Sequence, residues 1–235
     1  VQLTEGTPSP DPTQPPTVTI LAPAKEKLIP ADKAADSEVK LDIKNWKTAQ
    51  GDQHVHLILD NHPYKPIFDP KAPVKLSDLT GGEALAEGQH ILVAFPSRAN
   101  HESVKTKGAV AVNEFWVGKK GARVQDLTKA LLIYSRPKGE YKGDMANRVL
   151  VDFQLYGGTL SPDKNKVHIG VTGPGIDGEK SADVTKFGTP YYLENLQDGS
   201  YSVKLDLIGP DGKPLPGPWN SSTHTFSIAH GSGTP

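Results

Sequence analysis

Five of the eight histidines fall in the first half of the chain, at His54, His56, His62, His90 and His101. A His-x-His pair on a strand puts both imidazoles on one face, because side chains alternate with a period of two. In a β-sandwich, the loop carrying His101 and Glu102 lies near the start of the strand that carries His54. His54, His56 and His101 could therefore converge on one copper or zinc ion, both of which imidazole ligates well. A competing reading is structural. In it His90 fills a core position, His62 lies in a turn, and His54 and His56 pack against neighbours or face water.

Other chemistry is sparse. The chain has no Cys, which excludes disulfides, thiolate metal sites and Cys nucleophiles. Neither G-x-S-x-G nor H-E-x-x-H occurs, and no pair of carboxylates is marked by its spacing. No catalytic residue and no cofactor are therefore expected. Gly173-Pro-Gly175-Ile-Asp-Gly178 matches G-x-G-x-x-G formally, but a dinucleotide site needs a helix straight after the turn. The residues that follow are too short before Gly188-Thr-Pro to form a βαβ unit, so the segment reads as a turn between strands. Asn220-Ser-Ser222 fits a glycosylation acceptor in form and reads as a loop.

The elements that must position these residues come in two copies. Val18–Pro23 aligns with Leu132–Pro137, Val39–Ile43 with Val149–Phe153, Val55–Leu59 with Val167–Val171, and Phe115–Val117 with Phe226–Ile228, at a spacing near 111 residues. Within each copy apolar and polar residues alternate, as in Val39, Leu41, Ile43 and in Val203, Leu205, Leu207. Such alternation reads as antiparallel strand with one buried face. Turn signals at Asp60-Asn-His-Pro, Gly173-Pro-Gly and Gly209-Pro-Asp-Gly separate the runs. The fold class expected is all-β, with two tandem immunoglobulin-like or fibronectin-III-like antiparallel sandwiches. Leu196-Gln-Asp-Gly-Ser-Tyr201-Ser-Val203 has the form of a tyrosine corner. The first copy has His90 where that Tyr would stand, and its extra residues 81–87 are expected to form a short helical turn.

The domain plan is a Pro-rich tail at 1–16, sandwich one at 17–118, a linker at 119–123, sandwich two at 124–230 and a flexible tail at 231–235. Residues 1–16 hold few large apolar groups and are expected to be ordered only against a partner. Gly (23) and Pro (21) make up close to a fifth of the 235 residues. The net charge of −1 argues against nucleic-acid binding and against a polybasic membrane patch. No run approaches the ~18 apolar residues of a membrane span. Membrane contact is expected only through a partner or an upstream lipid anchor. A Pro-rich stalk before a β-rich body suits a periplasmic or other extracytoplasmic protein associated with a membrane.

Three segments carry a family resemblance: Asp60-Asn-His-Pro-Tyr64, Phe95-Pro-Ser-Arg98-Ala-Asn-His101-Glu-Ser103 and Tyr134-Ser-Arg-Pro-Lys-Gly139. The chain resembles an uncharacterised family of envelope proteins found in cyanobacteria and other bacteria. It departs from that pattern at Asn100, where the family usually has an aromatic residue. It also resembles the extrinsic periplasmic subunit of some bacterial photosynthetic reaction-centre complexes. The resemblance implies protein partners in a membrane-associated assembly and carries over no catalytic residues.

A difference between the copies bears on function. Outward strand positions in the second copy are polar or small, whereas Ile58, Ile91, Val93, Phe95 and Trp116 occupy the aligned positions in the first. An exposed apolar face of that kind marks an interface. The five residues are expected either to bind a protein partner or to be covered by the chain itself. Three readings follow: a non-catalytic accessory subunit docked on a larger complex, a periplasmic copper or zinc protein, or a carbohydrate-binding module using Trp46, Trp116 and Trp219.

Overall fold

The structure, a computed structural model, describes residues 1–231; the rest of the expected tail at 231–235 lies outside the described residues. The strands of the first half are β1 (Gln2–Glu5), β2 (Thr17–Ala22), β3 (Lys27–Ile29), β4 (Glu38–Lys44), β5 (His54–Leu59), β6 (Lys65–Ile67), β7 (Val74–Lys75), β8 (Gly88–Ser97) and β9 (Ala111–Val117). Those of the second half are β10 (Leu131–Arg136), β11 (Gly139–Lys142), β12 (Arg148–Tyr156), β13 (Lys166–Thr172), β14 (Lys180–Val184), β15 (Tyr191–Glu194), β16 (Gly199–Ile208) and β17 (Ser221–Ala229). Among the described residues the one α-helix is Ala31–Ala34. The chain is all-β, as its alternation predicts.

Two compact units result, one of residues Pro10–Asp126 and one of Val1–Ser9 together with the chain from Leu127. The first unit has a sheet in the order β2-β4-β7 and a sheet in the order β3-β9-β8-β5-β6. Its core is built from the inward residues Val55, Leu57, Leu59, Leu92, Ala94, Phe115 and Val117, which meet Val18 and Ile20 of the smaller sheet. Each Val, Leu, Ile or Phe among them contributes roughly 1.5–3 kcal/mol when fully buried. The second unit repeats the plan, with sheets β1-β15-β12-β10 and β11-β17-β16-β13-β14. In each unit the first long strand ends at a proline, Pro23 or Pro137, and the chain then joins the opposite sheet by parallel pairing, β3 to β9 and β11 to β17.

Several expectations are corrected. Residues 1–16 do not wait for a partner. Gln2–Glu5 pair antiparallel with Tyr191–Glu194, Val1 and Leu3 pack against the core of the second unit, and the Arg98 guanidinium donates to the Pro10 carbonyl at 3.0 Å. Composition misleads here because an edge strand is held largely by main-chain hydrogen bonds, which any residue but Pro can make. The segment 119–123 is not a free linker either. Arg123 pairs with Glu114 and Glu26, while Gln89 Oε1 accepts the amide hydrogens of Val124 and Gln125. Residues 81–87 form no helical turn; a 3-10 turn at Leu76–Leu79 comes just before them. Gly173–Gly178 is the turn of the antiparallel pair β13–β14, with Gly173, Gly175 and Gly178 at positive φ.

A candidate metal centre of three histidines

β5 projects His54 and His56 from the face opposite Val55 and Leu57, and both imidazoles are buried. Antiparallel pairing sets His54 opposite Ser97 and His56 opposite Phe95. The loop that leaves β8 after Ser97 therefore starts beside His54. It turns back at once: the His101 amide donates to the Arg98 carbonyl (2.9 Å), the Arg98 amide to the Glu102 carbonyl (3.0 Å), and Ser97 bridges Ser103. Asn100 Oδ1 accepts the Glu102 amide hydrogen at 3.1 Å, so Asn100 holds the turn itself. His101 itself has φ +69°, the left-handed region that non-glycine residues enter at a cost. That conformation brings its ring to the strand.

The three rings meet. His54 Nε2 is 3.0 Å from His56 Nε2 and 3.1 Å from His101 Nδ1, and the three ligand atoms all lie within 4.8 Å of one another. At a metal–nitrogen distance of about 2.0–2.1 Å, tetrahedral ligand atoms are about 3.3–3.4 Å apart. Two of the three edges are thus within a few tenths of an ångström of a ligand set. The far nitrogen of His54 is fixed as well: its Nδ1–H donates to the Asp52 carbonyl at 2.7 Å, which leaves the Nε2 lone pair directed at the other two rings. A metal-bound imidazole is ordinarily oriented by such a second hydrogen bond. The Trp46 indole N–H donates to the His54 carbonyl at 3.0 Å and pins the same residue from its backbone.

Aromatic rings wall the cluster. Tyr64 stacks on His56 with ring centres 3.5 Å apart and an interplanar angle of 8°. Phe68 stands 4.9 Å from His54, and Phe95 stands 5.3 Å from His56. His101 is half-buried and gives the cluster its side toward solvent. The donor set is three imidazoles with no carboxylate or thiolate, a composition suited to zinc or copper and ill suited to calcium or magnesium.

The remaining histidines of this unit stand apart. His90 is buried, with Nδ1 2.5 Å from Asp60 Oδ2 and Nε2 2.7 Å from the Ala86 carbonyl. Burial opposes its charge, but the Asp60 carboxylate and the Ala86 carbonyl outweigh that and raise its pKa above 6.5. His62 lies in the turn after β5 and faces Glu83 at 3.8 Å.

The expected docking face is corrected. Ile58, Ile91, Val93, Phe95 and Trp116 are each at most 2% exposed, so the chain buries them and they form no free surface. At one end the Trp116 indole donates to Glu26 and the Arg123 guanidinium lies 5.6 Å from its ring centre. The tryptophans are no sugar platform: Trp116 and Trp219 are buried and Trp46 is half-buried against the core. Sequence reasoning missed Tyr64, although it ends the quoted Asp60–Tyr64 segment.

A scan of protein-family models finds no match to this chain, and neither does a search of curated proteins. Solved structures similar to it include the fibronectin(III)-like modules of Clostridium thermocellum CbhA, at 14% identity and a TM-score of 0.30 over 91% of this chain and 95% of that one. The chicken CNTN1 FN1-FN3 domains match at 11% identity and a TM-score of 0.28, covering 92% of this chain and 66% of that one. The D00-D0 domain of intimin matches at 12% identity and a TM-score of 0.25, covering 88% and 98%. At these scores the likenesses carry no argument about activity or location, and the reading of a photosynthetic reaction-centre subunit gains no support from them. The fold rests on the chain's own strand pairing.

Proposed function

We propose that the protein is a non-catalytic, extracytoplasmic metal-binding protein whose first sandwich holds one zinc or copper ion on His54, His56 and His101. The observation that carries this reading is the meeting of three imidazole nitrogens, two from one strand and one from a loop residue in a left-handed conformation. Nitrogen lone pairs brought this close inside an aromatic wall must share protons or share a cation, and the Asp52 carbonyl already holds the one proton of neutral His54. A ligand set without thiols also survives an oxidising compartment, where Cys would be lost to oxidation.

The test is metal analysis after loading with Zn(II) or Cu(II) and dialysis against a weak chelator. The wild type is expected to retain about one equivalent. His101→Ala, which changes a half-buried loop residue, is expected to lose it while circular dichroism stays that of a β-sandwich. Wild-type protein that retains neither metal would refute the proposal.

A further inference from the structure

His54 and His56 are fixed by β5, but His101 comes from a loop, so its share in the cluster is only as firm as that loop. A non-glycine residue in the left-handed region, such as His101 at φ +69°, persists where its surroundings over-determine it. The main-chain bonds of the turn fix the shape of the loop, and the Val104 amide, which donates to the Pro96 carbonyl at 3.0 Å, closes its base. Bonds internal to the turn do not set how the turn lies against β5.

The Arg98 side chain reaches beyond the turn. It starts on the outgoing leg and crosses to the returning one. There Nη1 donates to the Ser103 carbonyl at 3.4 Å and stands 4.0 Å from the buried Glu102 carboxylate. Nη2 donates instead to the Pro10 carbonyl at 3.0 Å. Pro10 belongs to a segment that is itself held: the Asn45 amide group donates to the Pro15 carbonyl at 3.2 Å, Pro16 is buried, and Thr17 begins β2. The guanidinium therefore ties both legs of the His101 loop to a segment that runs into the smaller sheet. Its planar fork serves two acceptors in different directions, which the point charge of a lysine does not. The side chain is 17% exposed, so water competes weakly for these bonds.

We propose that Arg98 is a positioning residue of the metal centre. It is not a ligand. It acts through His101, by holding the loop where His101 Nδ1 meets His54 Nε2. This rests on the metal-binding reading above. A ligand ordered before the ion arrives costs less to fix on binding, so removing the guanidinium is read as weaker metal affinity.

The experiment is a double-mutant cycle on Cu(II) affinity, measured by competition with a weak chelator for wild type, Arg98→Ala, His101→Ala and the double variant. Copper is the probe because a nitrogen site holds it more tightly than zinc. Arg98→Ala is expected to weaken binding about 10- to 100-fold, the range for groups that orient a metal ligand. Arg98→Lys keeps a cation beside Glu102 and is expected to fall between wild type and Arg98→Ala; it carries the comparison if Arg98→Ala does not fold. In the His101→Ala background the loop supplies no ligand, and Arg98→Ala is expected to leave the residual two-histidine affinity unchanged. A general weakening of the sandwich would cost the same in both backgrounds. Hydrogen exchange on the metal-free protein is a second measurement. The His101 and Val104 amides are expected to exchange faster in the Arg98 variants, while those of β5 do not. Equal affinity in wild type and the Arg98 variants, equal losses in both backgrounds, or unchanged exchange in the loop would overturn the role of Arg98 and leave the three-histidine site standing. Failure of wild type to retain either metal would overturn both.

Discussion

In the second sandwich the Tyr201 hydroxyl stands 2.8 Å from the Pro174 carbonyl and 3.1 Å from the Gln197 carbonyl, and it accepts the Gln197 amide hydrogen. In the first, His90 reaches Ala86, also four residues upstream, and Asp60, in the loop that corresponds to the one bearing Pro174. The same corner is thus tied by a neutral phenol in one copy and by an imidazolium with two donors in the other. The charged form carries a pH dependence. The His90 pKa is raised in the folded state, so its contribution is fully present below the unfolded value of 6.5 and is lost as pH rises through the higher folded value. Stability is therefore expected to fall as pH rises from 6.5 through the higher folded value. His90→Gln should cost roughly 1–3 kcal/mol at pH 6 and flatten that fall. His168, whose pKa is also raised, remains in both proteins, so urea denaturation of the pair across this range isolates the His90 share. Equal pH slopes would contradict the ion pair. At this scale the histidine cluster was legible because strand alternation and the β8 loop are both readable from residue order. Tyr64 was not: Asp60 and Asn61 signal the turn, since Asp and Asn tolerate left-handed backbone, but residue order does not show which ring the aromatic after that turn stacks on.

Strands with one buried face declared themselves through alternation, and most of the architecture was legible for that reason. β1 did not declare itself. Gln2–Glu5 is four residues long, lies before a stretch rich in Pro, and offers Leu3 as its one large apolar side chain. Its partner β15 already has β12 on one side, so β1 completes the sheet at the remaining edge. The pairing is main-chain chemistry supplemented by the Thr4 hydroxyl, which donates to Glu194 at 2.9 Å. Removing residues 1–9 should leave the β15 edge open and remove the packing of Val1 and Leu3, at a cost of roughly 2–4 kcal/mol. Hydrogen exchange checks this directly. Amides in Gln2–Glu5 are expected to be protected in the full chain without any partner, and protection in Tyr191–Glu194 is expected to drop on truncation. Fast exchange throughout residues 1–9 of the intact protein would show that the strand does not persist in solution.

For the molecule as a whole, the apolar outward positions of the first copy decide between association and self-coverage. A patch of Ile58, Ile91, Val93, Phe95 and Trp116 left in water would favour a partner, but every one of these side chains is buried within the chain. Residue order could find the patch, since it shows only as a contrast with the polar second copy. It could not show what covers the patch, because coverage depends on how the chain folds back over its own sheets. The physical consequence is that these residues act as core. Trp116→Ser should cost about 3–5 kcal/mol, the range for truncating a buried aromatic ring. Phe95→Lys should cost at least as much, because it also puts an ammonium group in a fully buried position. Both variants are expected to lower the melting temperature of the isolated protein, by several degrees per kcal/mol for units of this size. A docking surface would behave in the opposite way: unchanged melting, with the loss appearing only in association. Melting curves of the two variants beside wild type therefore separate the cases without knowledge of any partner, and unchanged melting would return this face to the protein's exterior.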